Sequence, residues 1–147
     1  MLNRTIGTVE GRNQMLDNSQ KDTIIRLVSE FPGLMAIYVH GSVAKGTTHP
    51  GSDLDLAILR HHEAEAIDPR QFLEISGELE ARMGCPVQIG ILSRDSLVFA
   101  KEVIAHGIRI YCRDQTYCDT FAMYTFSFYS EFNERRQAIL KAYTVED

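Results

Sequence analysis

The chain has 147 residues, 44% of them hydrophobic and 24% charged, with a formal net charge of −5. This suffices for one domain with a real but modest core. The acidic balance argues against a protein that grips long nucleic acid through its phosphates, no apolar run approaches a membrane span, and the N-terminus shows no signal-peptide core.

In chain order, residues 1–18 are polar and aperiodic, and a flexible N-terminal tail is expected there, with Met15 as a possible second start. Ser19 to Phe31 reads as a helix, with Ile24, Leu27, Val28 and Phe31 on one face and Pro32-Gly33 as its stop. Leu34 to His40 is the first strand. A Gly41–Ser52 loop follows, with a short helix near Val43-Ala44-Lys45 and turn chemistry at Pro50-Gly51-Ser52. The second strand spans Leu54 to Leu59. Asp68-Pro69 opens a helix, Phe72, Ile75, Leu79 and Met83 form its apolar stripe, and Gly84 closes it. Val87 to Leu92 is the third strand. Ser93 or Asp95 is expected to cap a helix that ends at Gly107, before a short fourth strand, Ile108 to Cys112. A helix without proline or glycine runs from about Gln115 to Tyr143. Alternating strands and helices predict an α/β (α+β) domain around a small mixed sheet with a long C-terminal helix. The three cysteines, Cys85, Cys112 and Cys118, form no CxxC pair and read as reduced thiols of a cytoplasmic protein, which makes a zinc site unlikely.

One spacing carries chemistry: Gly41-Ser42, ten residues, then Asp53-Leu54-Asp55 between two apolar runs. Side chains alternate along a strand, so Asp53 and Asp55 share a face. Two carboxylates side by side repel unless a cation lies between them, and Mg²⁺ takes one or two carboxylates plus substrate phosphates. Gly41 allows close backbone approach to a phosphate, and Ser42 offers it a hydroxyl and an N–H. The combination reads as a site that transfers a nucleotide from a metal-bound triphosphate.

His40-Gly41-Ser42-Val43-Ala44-Lys45-Gly46 through Ser52-Asp53-Leu54-Asp55-Leu56 resembles the signature of the polymerase β-like nucleotidyltransferase superfamily, in its minimal (MNT) branch. Val87 to Leu92, His106-Gly107 and Arg109-Ile110-Tyr111 follow the same layout, and Glu134 to Ile139 is similar to the tail of MntA-type antitoxins of HEPN–MNT toxin–antitoxin pairs. The resemblance implies a minimal nucleotidyltransferase domain over 19–114 and a partner-binding C-terminal helix over 115–147. It implies an antitoxin that transfers AMP from ATP, with Mg²⁺, to a tyrosine of a HepT-like HEPN ribonuclease toxin and binds that toxin. Gly41 and Ser42 would hold the triphosphate, and Asp53 and Asp55 would be the catalytic metal ligands. The superfamily places a third carboxylate on the next strand, where this chain has Gln88, a neutral side chain that takes up no proton near neutral pH. Glu78, Glu80 and Asp95 lack the register to replace it. Two other readings therefore stand beside the enzyme: an impaired MNT domain that neutralises its toxin by binding alone, and a small-molecule nucleotidyltransferase, weakened by the lack of a second domain to form an acceptor pocket.

Lys45, three residues after Ser42, is a candidate nucleotide-binding point charge as well as an ordinary loop lysine. His40, His49, His61-His62 and Arg109 read as structural or solvated. In the terminal helix Tyr117, Phe121, Tyr124, Phe128 and Phe132 fall on one helical face, with Met123, Phe126 and Tyr129 off it. The first turns are expected to pack on the domain, and Tyr124, Phe128, Phe132 and Arg135 to meet a partner.

Overall fold

The computed structural model describes residues 16–47 and 52–144. Helix α1 (Asn18–Val28) leads into β1 (Leu34–His40), the short helix α2 (Gly41–Lys45), β2 (Leu54–Arg60), α3 (Pro69–Met83), β3 (Val87–Ile91), α4 (Leu97–His106), β4 (Ile108–Cys112) and α5 (Gln115–Thr144). The strands form one mixed sheet in the order β3-β2-β1-β4. β1 is antiparallel to both β2 and β4, and β2 is parallel to β3. The parallel pair requires a crossover, which α3 supplies.

β1 and β2 are apolar at nearly every position because both faces of the sheet are covered. On one face Ile24, Leu27, Val28 and Phe31 meet Ile75 and Leu79 of α3 over Ile37, Val39, Leu56 and Ile58. On the other, Ala100 and Val103 of α4 and Cys118 of α5 pack on Met35, Tyr38, Ala57 and Leu59. The active strands are thus clamped between two helical layers. Their ends, where the polar motif sits, are held by a core that tolerates little movement.

Local signals account for most element ends. Asp17 accepts from the Gln20 N–H and the Gln20 side chain returns to the Asp17 N–H, a capping box that starts α1. Leu16 packs on the core beside it. The folded chain therefore starts before Ser19, at least by Leu16; residues 1–15, Met15 included, lie outside the described residues, as do His49, Pro50 and Gly51. α1 ends at Val28 rather than at Phe31; the chain turns there, with the Phe31 N–H on the Val28 carbonyl, and still buries Phe31. Asp68 and Pro69 open α3 and Gly84, at φ +74°, closes it. Neither Ser93 nor Asp95 caps α4. Ser96 holds that position without a side-chain bond, because the Ser93 hydroxyl instead accepts from the Asp95 N–H. Asp114 caps α5 by accepting from the Tyr117 N–H at 3.2 Å.

α5 divides as expected, its first turns packing on the domain. Cys118 and Thr125 are its buried residues, with Tyr117, Phe121, Ala122 and Tyr129 half-buried beside them. Tyr124, Phe128 and Phe132 are 40%, 41% and 44% exposed, so the second half of the aromatic stripe turns away from the core.

Candidate nucleotide-transfer site

The motif residues meet where β1 ends and β2 begins. The antiparallel register places His40 opposite Asp55, and the parallel register places Gln88 beside Asp55 on the other flank. Asp53 lies one residue ahead of β2, still in extended chain. Its carboxylate Oδ2 accepts from Gln88 Nε2 at 3.0 Å. Gly41 and Ser42 form the first turn of α2 directly after β1, and Lys45 is exposed at the end of that turn. Five residues predicted from spacing (Gly41, Ser42, Lys45, Asp53 and Asp55) thus lie on three consecutive pieces of chain around one sheet end.

Gly41 has φ +71°, the left-handed region that side chains avoid, and a Cβ there would run into the Asp55 carboxylate. The Asp55 carboxylate fits against the bare Gly41 backbone, in the place a side chain would take. Burial pushes the Asp55 carboxyl above its usual range; His40 pulls it back, and the charge on Asp53 pushes it up again. A divalent cation would reverse that cost, since it favours the ionised form of both aspartates. Hard oxygen donors, a bare glycine backbone beside them and a carboxylate that resists ionisation alone together suit Mg²⁺ with a triphosphate. Asp53, Asp55 and the Gly41-Ser42 backbone would hold it.

The other carboxylates near β3 are engaged elsewhere. Glu80 Oε2 accepts from the Val87 N–H at 3.1 Å, which ties α3 to the start of β3, and Glu78 pairs with Arg82 at 2.8 Å. Asp95 follows the far end of β3. Two neighbours of the motif escaped the sequence reading. His40 was set aside as packing, and it does meet Phe99 edge-on at 5.5 Å, yet it also faces Asp55 across the ladder. Gln88 was read only as a missing acid, whereas it holds Asp53. Both follow from strand pairing, which the sequence does not specify.

The remaining candidates lie apart from this end. His61 and His62 stack on each other at 4.5 Å, and His61 stacks on Tyr117 at 5.1 Å. With Glu63 they form a donor cluster. The His61 Nδ1 already accepts from the Glu63 N–H, and parallel rings aim their lone pairs side by side rather than at one point. Arg109 is structural: it bonds Gln115 at 3.2 Å and joins β4 to α5. A cavity of about 740 Å³ lies at the opposite strand ends, between Arg60, Leu92, Arg94, Tyr117 and Phe121. On α5, Tyr124 and Phe128 stack at 5.9 Å, and Arg135 is paired with Glu131 at 3.0 Å on the helix surface.

Residues 22–116 match the family model described as polymerase beta, nucleotidyltransferase. The protein adenylyltransferase MntA of Shewanella oneidensis is 31% identical over 121 residues, which cover 82% of this chain and 84% of that protein. A crystal structure of a toxin–antitoxin with AMP-PNP superposes with a TM-score of 0.70 at 29% identity, covering 84% of this chain and 98% of that one. A structure of the tri-AMPylated Shewanella oneidensis HEPN toxin in complex with its MNT antitoxin superposes with a TM-score of 0.67 at 25% identity, covering 88% and 99%.

Proposed function

Because this chain belongs to the polymerase beta nucleotidyltransferase family, we propose that it is an antitoxin that adenylylates a cognate HEPN-family toxin and binds it, in the cytoplasm, with ATP as donor and Mg²⁺ as cofactor. The observation that carries this reading is the pair of Asp53 and Asp55 at one sheet end, with Asp55 against the side-chain-free Gly41. Likeness to an adenylyltransferase over most of both chains, and to a complex containing an AMPylated HEPN toxin, supports the choice of acceptor.

The chemistry is displacement at the α-phosphorus of ATP. A tyrosine hydroxyl of the toxin forms the new phosphorus–oxygen bond, the bond to the β-phosphate oxygen breaks, and pyrophosphate leaves. When bound, the cation neutralises charge on the phosphates. This chain's residues supply position. Asp53 and Asp55 would hold the cation and so position the phosphates. The Gly41-Ser42 backbone gives the phosphates close access, and the Ser42 hydroxyl and Lys45 ammonium add a donor and a charge. The toxin contacts Tyr124, Phe128, Phe132 and Arg135 on the outer face of α5. Exposed aromatics in a row are the anchors that protein interfaces use.

Neutralisation by binding alone is the second reading, favoured by the neutral Gln88 at the sheet end and by the exposed aromatic face of α5. The two separate in cells. Asp53→Asn with Asp55→Asn should abolish protection against the toxin while the two proteins still co-purify. Full protection by the double variant would transfer the function from catalysis to binding.

A further inference from the structure

Gln88 is the one polar side chain of β3, whose other residues are Val87, Ile89, Gly90 and Ile91. It is exposed, belongs to no ion pair, and directs its amide at a carboxylate of the candidate metal site. An ionised carboxylate only accepts hydrogen bonds, so the contact with Asp53 Oδ2 fixes the amide with its NH₂ group toward Asp53. That bond takes one oxygen of Asp53, and the other has no hydrogen bond among the described residues. Gln88 also sits beside Asp55 in register, so one neutral side chain lies next to both acids.

We infer that Gln88 is the positioning residue of this site: it orients Asp53 and keeps the carboxylate pair at a charge that a single divalent cation neutralises. The inference rests on the reading of Asp53 and Asp55 as ligands of a metal-bound nucleotide. A carboxylate at position 88 would remove the donor, set a third negative charge beside two others and provide ligands for a second ion. Loss of the amide would free the Asp53 rotamer and weaken the site without changing its charge. On this account β3 contributes no proton acceptor, and the proton of the incoming hydroxyl leaves to a group outside this strand.

Mn²⁺ is the probe for the count. The chain is loaded with one equivalent of a non-hydrolysable ATP analogue, and bound Mn²⁺ is counted from the loss of the free-ion paramagnetic resonance signal. Calorimetry gives the affinity for the Mg²⁺ complex of the same analogue. Wild type should bind one ion per chain. Gln88→Ala should keep that count with affinity lower by about three- to ten-fold, the loss of one charge-assisted bond at an exposed site. Gln88→Glu should bind two ions. Because Gln88 is exposed, Gln88→Ala should melt as wild type does, and circular dichroism should show Gln88→Glu folded despite its added like charge, which separates a site effect from misfolding. One ion in Gln88→Glu, or unchanged affinity in Gln88→Ala, would overturn the role of Gln88 while leaving the metal site standing. Analogue binding indifferent to cation in wild type would overturn the metal reading and this inference with it.

Discussion

Gly41 and Asp55 show how function is written into single residues at a cost in stability. Gly41→Ala places a side chain in the left-handed region, which costs about 1–2 kcal/mol, and drives its Cβ into Asp55. The expected outcome is a lower melting temperature together with loss of nucleotide binding, read by thermal denaturation and calorimetry. Asp55 runs the other way. Its carboxyl is held above the unfolded value of 3.8, so the folded chain binds that proton more tightly than the unfolded chain does. Stability is therefore lost as pH rises from the unfolded value through the raised folded one, and the charged form at neutral pH is a burden. In the absence of divalent cation, Asp55→Asn should melt above wild type at pH 7, and the gap should close in acid. A lower melting temperature for the variant at pH 7 would mean that the ionised carboxylate is well accommodated without metal. Both aspartates were legible in the sequence because a strand's two-residue period needs no tertiary knowledge. The parts played by Gln88 and His40 were not, since each depends on which strand lies beside which.

At the level of elements, most starts and stops could be read from caps: Asp68-Pro69 with Gly84 for α3, and the long run free of proline and glycine for α5. Errors fell where competing local chemistry decides. The Asp17–Gln20 capping box places the start of α1 ahead of Ser19, and Ser93 spends its hydroxyl on Asp95 rather than on α4. In α5 the division between packed first turns and an outer aromatic row was legible, but periodicity alone did not show that small Cys118 and Thr125 are the buried positions while Tyr124, Phe128 and Phe132 stay outside. Being exposed, these rings contribute little to the fold. Phe128→Ala with Phe132→Ala should change unfolding free energy by less than about 1 kcal/mol, and should weaken toxin binding by about 2 kcal/mol or more, as removal of interface anchors does. Thermal denaturation beside a binding titration checks both halves. Arg135 is spent partly on Glu131, an exposed pair worth a few tenths of a kcal/mol. Arg135→Ala should therefore weaken binding less than loss of either phenylalanine.

For the molecule as a whole, the arrangement separates tasks. Two helical layers clamp a four-stranded sheet, one sheet end carries the carboxylates, and a long helix presents an exposed aromatic face. Core substitutions should act on the first task alone: Leu56→Ala, at a fully buried position of β2, should cost about 2–5 kcal/mol of unfolding free energy. The fold class was readable from the alternation of strand and helix patterns, whereas the order β3-β2-β1-β4 was not, because sequence order does not fix spatial order in a mixed sheet. Among the described residues no helix is long and apolar enough to cross a membrane. The direct test of the whole account is the intact mass of the cognate HEPN protein after incubation with this chain, ATP and Mg²⁺. The account predicts mass steps of one or more AMP units that vanish with Asp53→Asn and Asp55→Asn. An unchanged mass while the two proteins remain bound would contradict it.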